Sequence, residues 1–442
     1  MNPNKYHSNA SKLYLLKLSL PIFFANLAIP LVGVIDTILM GHLNDQIYLA
    51  ATAISTSVMT MIFWTFGFLR MGTVGLVAQS LGRGDYQEIV STVIRNLFVA
   101  IILAIIVVSC LNIILKSIFY FFQVSSQTHV LIDNYITVRI VSAPAEFIIY
   151  ILTGLYLGLQ KTIISSSMII FFSILNIILS IIFVTEFDLN IVGVALGTTL
   201  SSYTTIFIFM AFSYVYIKKK LKVIPKINRS ILNQKKILRL FNINFNIFLR
   251  TILLTFSFLW ITYLSSKFGE NILASNLIIL QFIMIASFFL DAYAFSTEGI
   301  VGFNFGRKSE KSFMKAVKNS MELSFYTAVL ISIFYIFLSK TIINSFTDLE
   351  IIRYYAYSYI FWAIIIPPIA SFAYQFDGIF LGTSQTSQLR NGMIISVFIY
   401  IGSSLYFIKF FENHGIWLSL LLFMILRSLT LYFYFPGILK KF

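Results

Sequence analysis

Twelve long apolar runs, following one another through the whole chain, leave it few ways to fold. They fall near 13–40, 50–80, 96–115, 136–158, 163–184 and 191–216, then near 240–265, 273–304, 320–339, 355–382, 392–411 and 415–436. An apolar stretch of about 20 residues, coiled as a helix, matches the hydrocarbon thickness of a bilayer. Inside lipid the backbone must satisfy its own hydrogen bonds, which only helices and closed barrels achieve. Runs of this length predict an all-α polytopic membrane protein with 12 transmembrane helices. Composition agrees, since 58% of the 442 residues are hydrophobic and only 11% are charged. A water-soluble domain carries roughly a quarter charged residues, so lipid is the expected solvent and the lipid bilayer the first expected partner.

The distribution of Lys and Arg orients the chain. The segment before the first run and those after each even-numbered run hold 23 of the 32 basic residues, from Lys5 to Lys441. The opposite loops hold six, with Arg139 counted among them as a helix-end anchor, and three (Arg70, Arg250, Arg427) lie within spans. Basic residues accumulate on the cytoplasmic side, so both termini are expected in the cytoplasm. The net charge of +15 has this plain cause and implies no nucleic acid. Cys110, the one cysteine, sits in an apolar run and reads as a small buried side chain. Met1–Lys17 is polar and basic and does not read as a cleavable signal peptide.

A repeat organises the runs. Gly75, Val77, Gly82 and Arg83 recur as Gly299, Val301, Gly306 and Arg307. Leu49, Ala50 and Ile54 recur as Leu273, Ala274 and Ile278; Pro144, Gly154, Gly158 and Thr162 recur as Pro368, Gly378, Gly382 and Thr386. The offset is always 224 residues, half the chain, which points to duplication of a six-helix unit. The expected organisation is an amino-terminal lobe over 1–217, a basic linker over 218–239 and a carboxy-terminal lobe over 240–442. The linker is either a tether with an orienting charge or an amphipathic segment lying on anionic headgroups. Because six is even, both copies enter the membrane from the same side. Transporters built from parallel repeats bind cargo between the halves and alternate its access.

Ionisable side chains at membrane depth are costly and so need a reason. Here they are Asp36, Glu146, Asp291, Glu298 and Asp377, together with the spanning arginines. Asp36 follows Pro21 and Pro30 in the first run, and each proline removes a backbone hydrogen bond, so this helix either kinks or carries static bends. Asn176 and Ser180 share a face of the fifth run, one turn apart. Asp36, Asn176 and Thr198 fall at a similar depth when counted from the outer helix ends. A carboxylate beside neutral oxygens can bind a proton or a small hard cation, and burial penalises its charged form. The alternative role for Asp36 is a structural partner to a buried donor. Glu146, Asp291, Glu298 and Asp377 either pair with the arginines or face a cationic cargo. With Arg70 and Asn276 they are the candidates for lining a substrate cleft. The histidines lie in termini or loops. Neither a metal-ligand cluster, a Ser-His-Asp set nor a phosphate-binding loop is present, so no enzymatic activity, metal or cofactor is expected.

Several stretches together resemble the multidrug and toxic compound extrusion (MATE) family, in its DinF-like prokaryotic branch. They are Leu20-Pro21, Asp36-Thr37, Gly41-His42, the segment Phe66–Gly75, and Gln79–Gly82. Phe289–Gly299 and Phe376–Gly382 in the second half extend the likeness, which runs from about residue 13 to 435. The resemblance implies a 6+6 fold with a central cleft and export of amphipathic, often cationic compounds in exchange for protons or sodium ions. It implies that Asp36 is the coupling carboxylate, that the first helix bends near Pro21, and that Asn176 and Thr198 belong to the same network. The family often has an Asp one turn after the asparagine of the fifth helix, where this chain has Ser180. One carboxylate rather than two favours H+ over Na+ as the coupling ion. The expected protein is therefore an antiporter of the bacterial cytoplasmic membrane, a monomer, with small amphipathic substrates. A flippase for lipid-linked saccharide precursors, which would need a large cationic cleft, is the rival reading. At the repeat offset Asp36 falls on Trp260, Asn176 on Tyr400 and Ser180 on Ser404, so the proposed coupling site is expected in the first lobe alone.

Overall fold

A computed structural model describes residues 10–43, 45–122, 124–223 and 233–442. Part of the linker expected over 218–239 lies outside the described residues. Among the described residues every regular element is helical. The helices are α1 (Lys12–Gly41), α2 (Gln46–Thr65), α3 (Phe68–Arg83), α4 (Tyr86–Ser109), α5 (Leu111–Phe121), α6 (Ser126–Ile140), α7 (Ala143–Gly158), α8 (Thr162–Thr185) and α9 (Asn190–Tyr216). They continue as α10 (Gln234–Ser266), α11 (Glu270–Gly306), α12 (Glu310–Phe346), α13 (Glu350–Gly382), α14 (Thr386–Tyr434) and the short α15 (Pro436–Leu439).

Ten helical stretches are long and apolar enough to span a bilayer, and the bent pair α6–α7, broken by 47°, makes eleven. The twelfth is hidden in α14, where Glu412 adopts a non-helical backbone (φ 49°, ψ −128°) and divides two helices. The described residues thus form twelve spans. The third is displaced from its apolar run, because Asp85 caps α4 by accepting from the Glu88 N–H at 2.9 Å. A side-chain acceptor at this position satisfies one of the orphan amides of the first turn. α4 ends at Ser109, and the rest of the run forms the short α5.

The chain clusters into two compact units. One comprises Phe24–Leu81 and Asp85–Leu240; the other comprises the residues up to Phe23, Gly82–Gly84 and Phe241–Phe442. The start of α1 thus belongs to the second unit. There Ser19 Oγ and Ser296 Oγ are 2.7 Å apart, the Phe23 ring stacks on Phe289 at 4.0 Å, and Lys12 pairs with Glu322 at 2.5 Å. Helix α1 runs unbroken through Pro21 and Pro30.

The repeat is visible in how each unit packs internally. A Cβ at Gly154 would stand 2.7 Å from Arg70 O, and one at Gly158 would stand 2.9 Å from Val74 O, so α7 lies directly against the backbone of α3. In the other unit a Cβ at Gly378 would stand 2.6 Å from Ala294 O, and one at Gly382 would stand 2.5 Å from Glu298 O. All four partners are related by the same 224-residue offset. Small residues let helices approach closely in lipid, where packing replaces the hydrophobic effect between helices.

Candidate ion-coupling site

The site in the first unit begins with a close helix pair. A Cβ at Gly197 of α9 would stand 2.6 Å from Ser180 Oγ and 2.8 Å from Ser180 N on α8. Only glycine permits this approach, and it brings Asn176, Ser180 and Thr198 together. Asn176 Nδ2 donates to Thr198 Oγ1 at 2.8 Å, and that hydroxyl donates to Val194 O at 3.1 Å. Ser180 Oγ lies 3.5 Å from Asn176 Oδ1 and also within hydrogen-bonding reach of the Asp36 carboxylate. A serine has one proton to donate, so the two acceptors compete for it, and the contact to Asn176 is at the long limit. All four residues are buried. Asp36 Oδ1 has no hydrogen-bond partner, although Asp36 is only 5% exposed. A buried carboxylate oxygen without a donor is an unusual and expensive feature.

Arg139, placed by its sequence position in an outer loop, is inside the structure. It occupies the last turn of α6, immediately before the break of the fourth span. Its side chain is 11% exposed and pairs with Glu146 at 2.5 Å, while the guanidinium lies 4.5 Å from the centre of the Phe63 ring. Arg139 also donates to Ser142 Oγ, which lies 3.1 Å from Glu146 Oε1. The Tyr135 phenol is within electrostatic range of Arg139, Asp36 and Glu146, and Arg139 is within range of Asp36. Tyr150 senses Glu146, Arg139 and Arg70. The helix break lies between Arg139 and Glu146. Run length extends through it without interruption, and the only local signs are Ser142 and Pro144, which sits at the start of α7.

The remaining candidates lie in the second unit. Asp377 Oδ2 accepts from both Arg250 and Arg427, the latter at 2.6 Å. The Arg427 guanidinium also lies over Tyr374 and Phe423. Asp291 is half-buried and electrostatically near Tyr374. Glu298 is buried on α11, where its carbonyl meets Gly382. Asn276 has its amide fully engaged: it donates to Ser265 and Asn413 and accepts from Asn413 and Trp417, at 2.7–3.0 Å. It pins the residue following the Glu412 break. These hydrogen bonds leave its amide little capacity for cargo. At the positions repeating Asp36 and Ser180, the Trp260 indole donates to Ser404 Oγ at 2.9 Å.

The chain matches the MatE family model over residues 21–182 and 247–406. It is 28% identical to DNA damage-inducible protein F of Escherichia coli (strain K12) over 421 residues, which cover 94% of this chain and 90% of that protein. It is 24% identical to Multidrug export protein MepA of Staphylococcus aureus (strain bovine RF122 / ET3-1), covering 69% of this chain and 67% of that protein. Among solved structures it resembles a multidrug resistance MATE family transporter of the MOP superfamily in an outward-facing conformation. The TM-score is 0.89 at 17% identity, covering 100% of this chain and 99% of that one. A MOP superfamily transporter from Pyrococcus furiosus gives a TM-score of 0.85 at 18% identity, over 97% and 96% of the two chains. Twelve apolar spans in duplicated halves, a family model covering most of the chain and this fold agree: the protein is a multi-pass membrane protein of the MatE family.

Proposed function

We propose that this chain is a secondary antiporter of the bacterial cytoplasmic membrane, exporting amphipathic, cationic drugs or metabolites in exchange for protons by alternating access. Asp36 is its coupling carboxylate, and both termini face the cytoplasm. The export reading is supported by the relative named as a multidrug export protein. The coupling reading rests on one observation: Asp36 is buried beside the neutral Ser180 hydroxyl with one carboxylate oxygen unpaired. A structural carboxylate would be expected to have both oxygens engaged, as buried charges normally do. A proton on the free oxygen removes the charge and with it the desolvation penalty. Moving one charge through 100 mV yields about 2.3 kcal/mol, enough to bias a two-state equilibrium.

Proton coupling is preferred over sodium because the neighbouring polar groups, Ser180, Asn176 and Thr198, are all neutral. Asn176 and Thr198 already bond to each other. The flippase alternative gains nothing from three of the arginines, since Arg250 and Arg427 are held by Asp377 and Arg139 by Glu146. The test is transport of a lipophilic cationic dye in everted membrane vesicles. Asp36→Asn is expected to insert normally and lose uptake driven by a pH gradient. Undiminished uptake by that variant sinks the assignment of Asp36.

A further inference from the structure

We infer that Arg139 is a positioning residue for the coupling carboxylate: it pairs with Glu146 and lies within electrostatic range of Asp36, so that the charge on Asp36 bears on the bend of the fourth span. The inference deepens the proposed function and rests on it.

The geometry begins with the break between α6 and α7, where the helix axis turns by 47°. An ordinary Pro- or Gly-induced kink needs no ion pair to hold it. This one is bridged by charge. Arg139 stands on the last turn before the break, Glu146 on the first turn after it, and Ser142 lies between, hydrogen-bonded to Arg139 and 3.1 Å from Glu146. The Phe63 ring of α2 covers the guanidinium. The pair is therefore desolvated, which makes its partnership strong and its loss costly.

The same guanidinium reaches electrostatically toward Asp36 on α1. The Tyr135 phenol lies within range of all three ionisable groups, so they form one cluster rather than two sites. The groups around it are Ser180 of α8, Asn176 beside it, Thr198 of α9, and Tyr150 with Arg70 at the Glu146 end. When Asp36 carries a proton, Arg139 has one anionic partner, Glu146, and the clamp across the break is complete. When Asp36 is ionised, two carboxylates attract one guanidinium. A planar five-donor group can serve both, but any turn toward Asp36 weakens its hold on Glu146. Proton loading is in this way connected to the bend of the fourth span. The carboxy-terminal copy has no such device, since Arg139 and Glu146 fall on Ala363 and Ala370 at the repeat offset.

A charge-swapped variant separates this role from simple bracing. Arg139→Glu with Glu146→Arg keeps an ion pair across the break but turns a carboxylate toward Asp36. The neutral pair Arg139→Gln with Glu146→Gln keeps the shapes and removes the cation, and it serves if the swap fails to insert. Dye uptake in everted vesicles is measured from pH 5.5 to 9 for the wild type, both pairs, Arg139→Lys and Asp36→Asn. The expected result is a half-maximal pH moved upward by about one unit or more in the swapped and neutral pairs. Arg139→Lys, which keeps the charge, stays within half that shift. Profiles of the swapped and neutral pairs that scale in height without moving along the pH axis show a brace only and overturn the inference, while loss of uptake in Asp36→Asn keeps the proposed function standing. Undiminished uptake by Asp36→Asn overturns the proposed function, and this inference with it.

Discussion

The two buried aspartates of this chain should respond unequally to loss of charge, and the contrast can be estimated from the structure. Asp377→Asn removes the anion shared by Arg250 and Arg427, whose side chains are 8% and 3% exposed. Their Nε atoms already lack partners, so little compensation is at hand. Breaking a buried pair by deleting one member costs about 3–5 kcal/mol, because a desolvated charge is stranded. Two are stranded here, and they repel each other. The remaining amide oxygen restores a hydrogen bond worth about 1 kcal/mol, leaving an expected loss of about 3 kcal/mol or more. Asp36→Asn instead replaces a carboxylate whose Oδ1 has no partner. The neutral amide loses little and is relieved of desolvation, so the expected change is within about 1 kcal/mol in either direction. Equilibrium unfolding in mixed detergent–SDS micelles reads both. Equal stability of Asp377→Asn and wild type would refute the structural role given to Asp377. A large loss in Asp36→Asn would show that this carboxylate is itself a structural partner. Replacing the whole triad, Arg250→Met, Asp377→Leu and Arg427→Met, should recover most of the stability lost by the single change.

Gly197→Ala forces a methyl against the backbone of α8 beside Ser180; a loss of about 1–3 kcal/mol is expected, with pH-driven dye uptake falling more steeply than for Gly402→Ala, where the added methyl meets open space. Asn276→Ala strands the Trp417 indole N–H and the Asn413 amide, at about 1–3 kcal/mol for each orphaned donor; unfolding in the same micelles checks it, and a stability equal to wild type contradicts the view of Asn276 as a pin for the Glu412 break.

Most of the scaffold was legible because lipid imposes a simple rule on sequence. Each span must be about 20 apolar residues, so run lengths gave the twelve helices, and the duplicated glycines gave the symmetry that Gly154 and Gly378 now show in packing. The coarse candidate site was legible for a related reason: Asp36, Asn176 and Ser180 stand out as polar groups in apolar stretches, and helical spacing puts the last two on one face. What escaped was whatever depended on a span not being straight. By sequence Arg139 reads as a helix-end anchor on the outer side because the fourth apolar run starts at about residue 136, whereas the helix begins at Ser126 and breaks after Ile140. A polar first half, with Asp133 and Thr137, hid that stretch from a hydrophobicity reading. The Glu412 break, by contrast, falls in the gap between the apolar runs 392–411 and 415–436, although nothing in its residue type requires a positive φ. The pairing of Asp377 with two arginines follows from contacts between α10, α13 and α14, far apart in sequence. Run length and spacing do not report such contacts.

In the proposed function, proton movement through Asp36 drives export. The direct measurement is transport by purified protein in proteoliposomes, with pH and sodium gradients imposed independently and the membrane potential clamped. A pH gradient alone is expected to drive uphill movement of a lipophilic cation in the wild type, a sodium gradient alone is not, and Asp36→Asn is expected to abolish the response. Uphill transport driven by sodium alone, or pH-driven transport retained by Asp36→Asn, contradicts it.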